Sequence, residues 1–118
     1  MNYSFFKNKK ILVTGHTGFK GSWLVTWLNL LGSDVMGISL NPIKGDNHFK
    51  ILKKNLNIID KRGDIRNVNF LKKNIIDFKP DIVFHLAAQA IVSTSYKFPK
   101  KIFETNVLGT LNLLSVLS

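Results

Sequence analysis

Three glycines at regular spacing, Gly15, Gly18 and Gly21, are the residues of this chain with the clearest chemical potential. They directly follow the apolar run 10–14 and open a stretch with helical periodicity. The first glycine permits a tight turn, the second lets backbone amides approach a ligand, and the third lets the helix lie close to the sheet. Because the first turn of a helix carries unpaired N–H groups and the positive end of the helix dipole, this loop predicts a pyrophosphate site.

The other residues of the loop carry alternatives that stay open. Thr17, Phe19 and Lys20 are expected to border the same site, with Lys20 either a solvated side chain or a phosphate contact. We favour His16 as a loop residue without a ligand role over a contact to phosphate. A strand-to-helix turn that binds nothing is the alternative for the whole loop, and its position between a strand and a helix argues against that.

Strands and helices alternate along the chain. The predicted strands are Lys10–Thr14, Asp34–Leu40, Ile58–Lys61 and Asp81–Leu86, and the predicted helices are Gly18–Leu31, Phe49–Leu56, Val68–Phe78 and a last helix after Pro99 with Phe103, Val107, Leu111 and Leu114 on one face. Apolar strands separated by helices indicate βαβ units and a parallel sheet. The predicted fold class is therefore α/β, a Rossmann-type doubly wound parallel sheet of order 3-2-1-4 that stops before a fifth strand.

The composition limits the structures and functions that are possible for this chain. The 118 residues, 45% hydrophobic and 20% charged, suit one globular domain, which we expect to be the N-terminal part of a dinucleotide-binding domain without its substrate-binding domain. There is no cysteine, and no apolar run approaches the roughly 20 residues of a membrane span, so we expect a cytoplasmic protein without a thiolate metal site. We expect no metal of any other kind either.

The net charge of +10, from 17 Lys and Arg against 7 Asp and Glu, raises the question of a polyanion partner. The lysines are spread along the chain, mostly on the polar faces of predicted helices, which favours a solvated surface. An anionic dinucleotide as ligand would account for part of the excess positive charge. Nucleic-acid binding ranks last, because aromatic and basic residues are not interleaved into a platform, and we expect neither a nucleic acid nor a membrane as partner.

The residues also carry a family resemblance that covers nearly the whole chain from about Lys10. Residues 13–24, Val-Thr-Gly-His-Thr-Gly-Phe-Lys-Gly-Ser-Trp-Leu, resemble the extended short-chain dehydrogenase/reductase superfamily and, within it, most closely the CDP-glucose 4,6-dehydratases. The segments 63–66, 79–89 and 105–110 fit the same pattern in the same order. The assignment to the dehydratases depends mainly on His16, Lys20, Trp23 and Gln89.

That resemblance implies an activity for the complete protein. It would convert CDP-glucose to CDP-4-keto-6-deoxyglucose, a precursor of surface polysaccharides. Tightly held NAD⁺ would take hydride from sugar C4, water would leave across C5 and C6, and hydride would return to C6. The implied partners are NAD, a nucleotide sugar in the complete enzyme and a second copy in a homodimer. An epimerase or reductase of the same superfamily and a non-catalytic NAD(P)-binding module are the alternatives.

The resemblance also assigns residues to the cofactor. Asp64 would accept a hydrogen bond from the adenine amino group with the Ile65 amide beside it, although an Asp near a helix start is also a common N-cap. The cofactor groove would be lined by Leu86, Ala87, Ala88 and Gln89. Asn106 would support a catalytic lysine or, alternatively, bond a neighbouring backbone group. Ser93 and Thr94 lie where the family's loop approaches substrate, and simple loop polarity is favoured for them.

Two departures limit the resemblance. The position at the end of the second strand, where an acidic residue binds the ribose 2′-OH in NAD enzymes, falls at Ser39, so NAD is expected and NADP is not excluded. The superfamily works with a Tyr-x-x-x-Lys pair on one helix face, in which the lysine lowers the tyrosine pKa. Tyr96 and Lys100 match that spacing, but Pro99 disfavours helix between them. We therefore assign no catalytic residue and expect the chain alone to be inactive.

Overall fold

Four parallel strands form the centre of the fold. The structure, a computed structural model, describes residues 3–42, 48–88 and 96–118. Within these ranges the strands are β1 (Lys10–Thr14), β2 (Asp34–Ser39), β3 (Ile59–Arg62) and β4 (Ile82–His85), in the sheet order β3-β2-β1-β4. All three neighbouring pairs are parallel. The predicted Rossmann-type sheet and its 3-2-1-4 order are thus confirmed.

The helices connect these strands as the alternation predicts. They are α1 (Phe19–Leu30), α2 (His48–Leu52), α3 (Val68–Phe78), α4 (Pro99–Phe103) and α5 (Gly109–Leu117), with 3₁₀ turns at Tyr3–Phe6 and Lys53–Asn55. A π-helical turn, Glu104–Leu108, joins α4 to α5. The bounds of α3 match the prediction, whereas the helix predicted over 49–56 divides into α2 and a 3₁₀ turn. The last helix begins at Pro99, where Phe98 is still non-helical with φ −133° and ψ 62°.

Each face of the sheet has its own hydrophobic core. Side chains alternate across a strand, so β1 contributes Leu12 to one core and Ile11 and Val13 to the other. The first core joins the sheet to α3 and α5 and comprises the buried residues Leu12, Met36, Ile38, Ile65, Leu71, Ile75 and Leu113. The second joins the sheet to α1 and comprises Ile11, Val13, Val25, Leu28 and Val35. Burial on both faces explains why β1 and β2 are largely apolar on both of their sides.

The apolar stripe that predicts α1 faces outward. Four of its residues are each more than half exposed: Phe19, Trp23, Trp27 and Leu30. The buried side of the helix consists of Gly21, Ser22, Val25 and Leu28. The last helix behaves alike, since Phe103, Val107, Leu111 and Leu114 are each about half exposed. No helix among residues 3–42, 48–88 and 96–118 is long and apolar enough to cross a membrane.

The glycine loop yields a prediction about stability. A Cβ added at Gly21 would lie 2.1 Å from the Gly15 carbonyl oxygen, whereas one added at Gly18 would find that same oxygen at 3.4 Å. Gly18 also has an ordinary φ of −76°. We expect Gly21→Ala to lower the free energy of unfolding by about 1–3 kcal/mol, as overpacking does. Gly18→Ala is the matched control, with a change below about 1 kcal/mol. Urea unfolding followed by circular dichroism measures both, and equal stabilities would contradict the argument.

Candidate dinucleotide-binding site

A groove of about 200 Å³ lies at the carboxyl ends of the strands, where β1 and β4 are neighbours. Ligands of doubly wound folds bind at this switch point, where the order of the strands reverses. Nine residues predicted for the cofactor line the groove: Gly15, Thr17, Gly18, Ser39, Asp64, Ile65, Leu86, Ala87 and Ala88. Leu40, Gly63 and Thr105 also line it and were missed from the sequence. Gln89, Ser93 and Thr94 lie outside the described residues.

The loop between β1 and α1 packs directly against the main chain that follows β4. Gly15 has φ +81°, and a Cβ there would lie 2.7 Å from the Ala87 nitrogen. Its N–H donates to the Ile38 carbonyl at 2.8 Å, which ties the turn to β2. A left-handed backbone conformation without space for a Cβ permits only glycine at this position. The predicted tight turn is therefore present.

The amino terminus of α1 adjoins the groove without a side-chain cap. Gly18 is the N-cap of α1, lines the groove and makes no capping hydrogen bond through a side chain. The first N–H groups of a helix have no intrahelical partner and attract anions. Phe19, Lys20 and Gly21, also predicted for the cofactor, form the first turn of α1 and do not line the groove. Gly21 permits close contact with the loop itself, at the Gly15 oxygen, rather than with the sheet as predicted.

A chain of hydrogen bonds runs under the groove from the end of β1 to the last helix. The Thr14 hydroxyl lies 3.1 Å from both the Leu86 and the Ala87 nitrogen, and each N–H donates to it. The same hydroxyl lies 2.6 Å from His85 Nδ1. His85 Nε2 lies 2.8 Å from the Thr110 hydroxyl. Thr14 thus holds the main chain that forms the floor of the groove, a role that the sequence does not reveal.

The direction of these hydrogen bonds determines which ring nitrogen of His85 carries the proton. The Thr110 hydroxyl donates to the Asn106 carbonyl at 2.8 Å, so it accepts from His85 Nε2–H. Thr14 already accepts two N–H groups, so its own hydrogen goes to His85 Nδ1. A proton on Nδ1 would have no acceptor there. Burial accordingly lowers the pKa of His85 below its ordinary value.

His16 belongs to a buried polar cluster rather than to the groove. Its side chain is fully buried, and its Nε2 donates to Asp60 at 2.7 Å. The ring lies against Gly37, where any Cβ would collide with it, and edge-on to Phe49. Burial lowers the pKa of His16 more than its bond to Asp60 raises it, so the ring is neutral. A phosphate contact is thus not supported, and His16 is a structural residue of the loop.

Asp60, in β3, is the charged centre of that cluster. Besides His16 it accepts hydrogen bonds from Arg62 Nε at 2.8 Å and Nη2 at 2.9 Å, and Lys53 Nζ lies 3.3 Å away. Burial disfavours the ionised carboxyl, but the bonds from Arg62 and His16 outweigh it and hold the pKa of Asp60 well below its usual range. Buried charges require such pairing. One carboxylate here faces two cations.

Asp64 lines the groove but does not cap α3. The N-cap is Asn67, whose side chain accepts from the Phe70 N–H at 3.1 Å, so the alternative role of Asp64 as N-cap is wrong. Asp64 instead accepts from the Arg66 N–H and binds its guanidinium at 2.6 Å. The bond from Arg66 lowers the pKa of Asp64 and keeps it ionised. Its partner Arg66 also lies 3.5 Å from Glu104 in the π-helical turn.

The remaining candidates lie apart from the groove. Asn106 sits in the π-helical turn, and its carbonyl accepts from Thr110. Tyr96 precedes the non-helical Phe98 and is 83% exposed, so it shares no helix face with Lys100. The rejection of this pair is consistent with that geometry. Among the described residues no cluster of three or more His, Cys, Asp or Glu is placed to hold a metal ion.

These features define a class of protein. A glycine loop between a parallel strand and an uncapped helix, at the switch point of a 3-2-1-4 sheet, is typical of the Rossmann-type fold. More narrowly, the chain belongs to the GDP-mannose 4,6-dehydratase family, whose model matches residues 12–118. The resemblance to this group of nucleotide-sugar dehydratases and epimerases is thereby confirmed.

Individual relatives agree with this assignment. The chain is 45% identical over 111 residues to the CDP-glucose 4,6-dehydratase of Salmonella typhimurium, covering 94% of this chain and 31% of that protein. It superposes on an epimerase of Methanothermobacter thermautotrophicus with a TM-score of 0.81 at 29% identity, covering 97% of this chain and 33% of the other. For the NAD complex of UDP-glucose 4-epimerase from Thermus thermophilus the TM-score is 0.76 at 35% identity, with 91% and 33% covered. The chain spans about a third of the length of these relatives.

The two neutral histidines predict a dependence of stability on pH. Both His16 and His85 have a lowered pKa in the fold, so the unfolded chain binds more protons around their ordinary value of 6.5. The two histidines therefore make their full contribution to the free energy of unfolding above about pH 6.5. That contribution is lost as the pH drops through this value. We expect a lower free energy of unfolding in urea at pH 5.5 than at pH 8. His85→Gln removes one titrating group and should reduce the difference. Stability that is constant or rises on acidification would refute this prediction.

Proposed function

We propose that this chain is the NAD-binding portion of a nucleotide-sugar 4,6-dehydratase that acts on CDP-glucose. The observation that carries the proposal is the uncapped amino terminus of α1, which meets the groove at Gly18. Main-chain N–H groups at a helix start suit the pyrophosphate of a dinucleotide. The confirmed family supports a nicotinamide cofactor, because a related epimerase of known structure is complexed with NAD.

The residues around the groove fit such a cofactor. Gly15 and Gly18 present no side chain to the pyrophosphate, and Ala87 and Ala88 leave room for a flat group beside β4. The ionised Asp64 would accept a hydrogen bond from the adenine amino group. Ile65 is 4% exposed, so its side chain would form an apolar wall of the adenine pocket. His16 and Asp60 hold the loop in shape without contacting the groove.

The chemistry needs more than this chain provides. In the complete protein, a bound NAD would supply a reversible hydride acceptor for the loss of water from the sugar. The groove residues would orient the dinucleotide, and Asn106 would support a catalytic lysine supplied by the rest of the protein. No catalytic residue is assigned in this chain. A homodimer, a bound nucleotide sugar and a cytoplasmic location are proposed for the complete protein on the strength of the family alone.

CDP-glucose is the proposed substrate because the loop sequence and the 45% identical Salmonella relative agree on it. His16 fits only because Gly37 leaves space for its ring, so the loop and β2 are matched to one another. An epimerase of the same superfamily is the second candidate, favoured by the close superposition on two epimerases.

Binding of the cofactor is testable on this chain. NAD at about 100 times its dissociation constant should add about 2.7 kcal/mol to the free energy of unfolding. Gly18→Ala is a matched variant: the ligand-free fold tolerates its methyl group, which would nonetheless obstruct the pyrophosphate. We expect it to lose most of the stabilisation. Circular dichroism first establishes that each chain is folded. A folded wild-type chain that neither NAD nor NADP stabilises would refute the proposal.

The substrate assignment predicts a product. Incubation of the complete protein with NAD and CDP-glucose should yield a nucleotide sugar lighter by one water, detected by mass spectrometry. GDP-mannose and UDP-glucose, supplied separately, should be converted far more slowly. A product of unchanged mass with altered sugar stereochemistry would favour the epimerase instead. Loss of water from GDP-mannose or UDP-glucose but not from CDP-glucose would overturn the choice of substrate. The proposed dehydratase reaction would still stand.

A further inference from the structure

The outer face of α1 is the centre of an apolar surface that belongs to neither hydrophobic core. Trp27 packs edge-on against Tyr3 of the first 3₁₀ turn, with ring centres 5.8 Å apart. Trp23 lies 4.3 Å from the His48 ring of α2. Three elements thus contribute to one surface. Its large side chains, each at least two-fifths exposed, are Tyr3, Phe5, Phe19, Trp23, Trp27 and Leu30, and together they are called the aromatic surface.

The fold itself does not need these side chains for packing. The buried side of α1 consists of Gly21, Ser22, Val25 and Leu28. An aromatic side chain has roughly 150–250 Å² to bury, so the aromatic surface leaves several hundred Å² of apolar area in water. Exposed apolar patches of that size mark contacts with another macromolecule or with a membrane.

The segments that build this surface and its surroundings are rich in lysine. Residues 3–33 and 48–59 contain seven lysines and neither aspartate nor glutamate. Asp34 comes next in the chain after the first segment, at the start of β2. In the second segment Lys53 is paired with Asp60 of β3. An aromatic surface with lysines and without carboxylates of its own complements a partner that is both apolar and negatively charged.

Three of the lysines border the aromatic surface at both ends of α1. Lys9 Nζ lies 5.3 Å from the centre of the Phe5 ring. Lys7 is exposed and lies beside Gly32, just beyond the end of α1. Lys20 is exposed in the first turn of the same helix. The positive charge is therefore next to the apolar area rather than on a remote part of the fold.

An anionic lipid bilayer fits this combination better than a second copy or a nucleic acid does. Two copies that met through the aromatic surface would bring lysines close to lysines. A nucleic acid would stack its bases on aromatic rings, but the aliphatic side chains of Leu30 and, in α2, Ile51 are 78% and 67% exposed and offer a base no such contact. Tryptophan and tyrosine accumulate where a bilayer meets water, and lysines beside them attract anionic head groups.

We propose that the aromatic surface attaches this protein to the head-group region of an anionic lipid bilayer. Trp23, Trp27 and Leu30 would enter the interface, and the bordering lysines would contact lipid phosphate groups. With 12 residues α1 is about 18 Å long and too short to span a bilayer, so the attachment is peripheral. The inference departs from the expectation that no membrane is a partner, and it does not depend on a dinucleotide in the groove.

Co-sedimentation of the complete protein with lipid vesicles tests this proposal. Vesicles of equal parts phosphatidylglycerol and phosphatidylcholine should bind the protein at least about tenfold more strongly than vesicles of phosphatidylcholine alone. Raising the salt concentration from about 0.05 M to about 0.5 M should remove most of that difference, because salt screens the lysines. Binding to neither kind of vesicle, or equal binding to both, would overturn the proposal.

A matched pair of charge variants separates this surface from the net charge of the protein. The double variant Lys7→Glu, Lys9→Glu should weaken binding to the anionic vesicles at least about tenfold. The double variant Lys72→Glu, Lys73→Glu changes the net charge equally at exposed positions of α3, on the opposite face of the sheet, and should weaken binding by less than about threefold. Equal losses in the two variants would show a general attraction between charges and refute a defined surface.

A second pair tests the apolar contribution. Leu30→Ser should weaken binding to the anionic vesicles at least about threefold, because a largely exposed leucine would be buried in the interface. Ile76→Ser, at a 58% exposed position of α3, is the control and should leave binding unchanged. Size-exclusion chromatography of both variants identifies the other occupant. A lower oligomeric mass in Leu30→Ser with unchanged vesicle binding would assign the surface to a second copy and overturn the lipid proposal.

Discussion

The candidate site depends on one close approach, between the loop after β1 and the main chain that follows β4. Gly15 meets the Leu86 and Ala87 backbone at distances that no Cβ could tolerate. One residue earlier, the Thr14 hydroxyl accepts both of their N–H groups. The two strands on either side of the switch point are therefore joined by main-chain packing and by one side chain. The floor of the groove is therefore main chain that these contacts hold in place.

The features that the sequence predicted correctly are those determined by residues close together in the chain. The glycine loop, the apolar strands buried on both faces and α3 with its own cap are each specified by neighbouring residues, and the structure has them where expected. β3 begins one residue later than predicted, at Ile59. The reason is physical: β3 lies at the end of the sheet order and only partly buries its residues, so no continuous apolar run marks its bounds. The shorter α2 likewise gives way to a 3₁₀ turn that brings Lys53 to Asp60.

The missed features all require residues that are distant in sequence. Periodicity identified α1 correctly as a helix, but not its buried face, which begins with the small residues Gly21 and Ser22 because the first turn packs closely against the loop. His16 pairs with Asp60 across 44 positions, and Thr14 pairs with His85 across 71. A single sequence shows a histidine and an aspartate as separate polar residues, and only the register of the sheet brings them together. The functional roles assigned to the groove residues remain predictions in the same sense.

The buried cluster of His16, Asp60 and Arg62 holds the shape of the glycine loop. Its aspartate would be costly to bury alone, but it has donors from the glycine loop, from β3 and from the 3₁₀ turn, and it joins all three. A loop fixed in this way loses little conformational freedom when a ligand arrives, which lowers the cost of binding. The same aspartate orients the guanidinium of Arg62 towards the end of β2. A single charged side chain outside the groove therefore joins the glycine loop, β3 and the 3₁₀ turn.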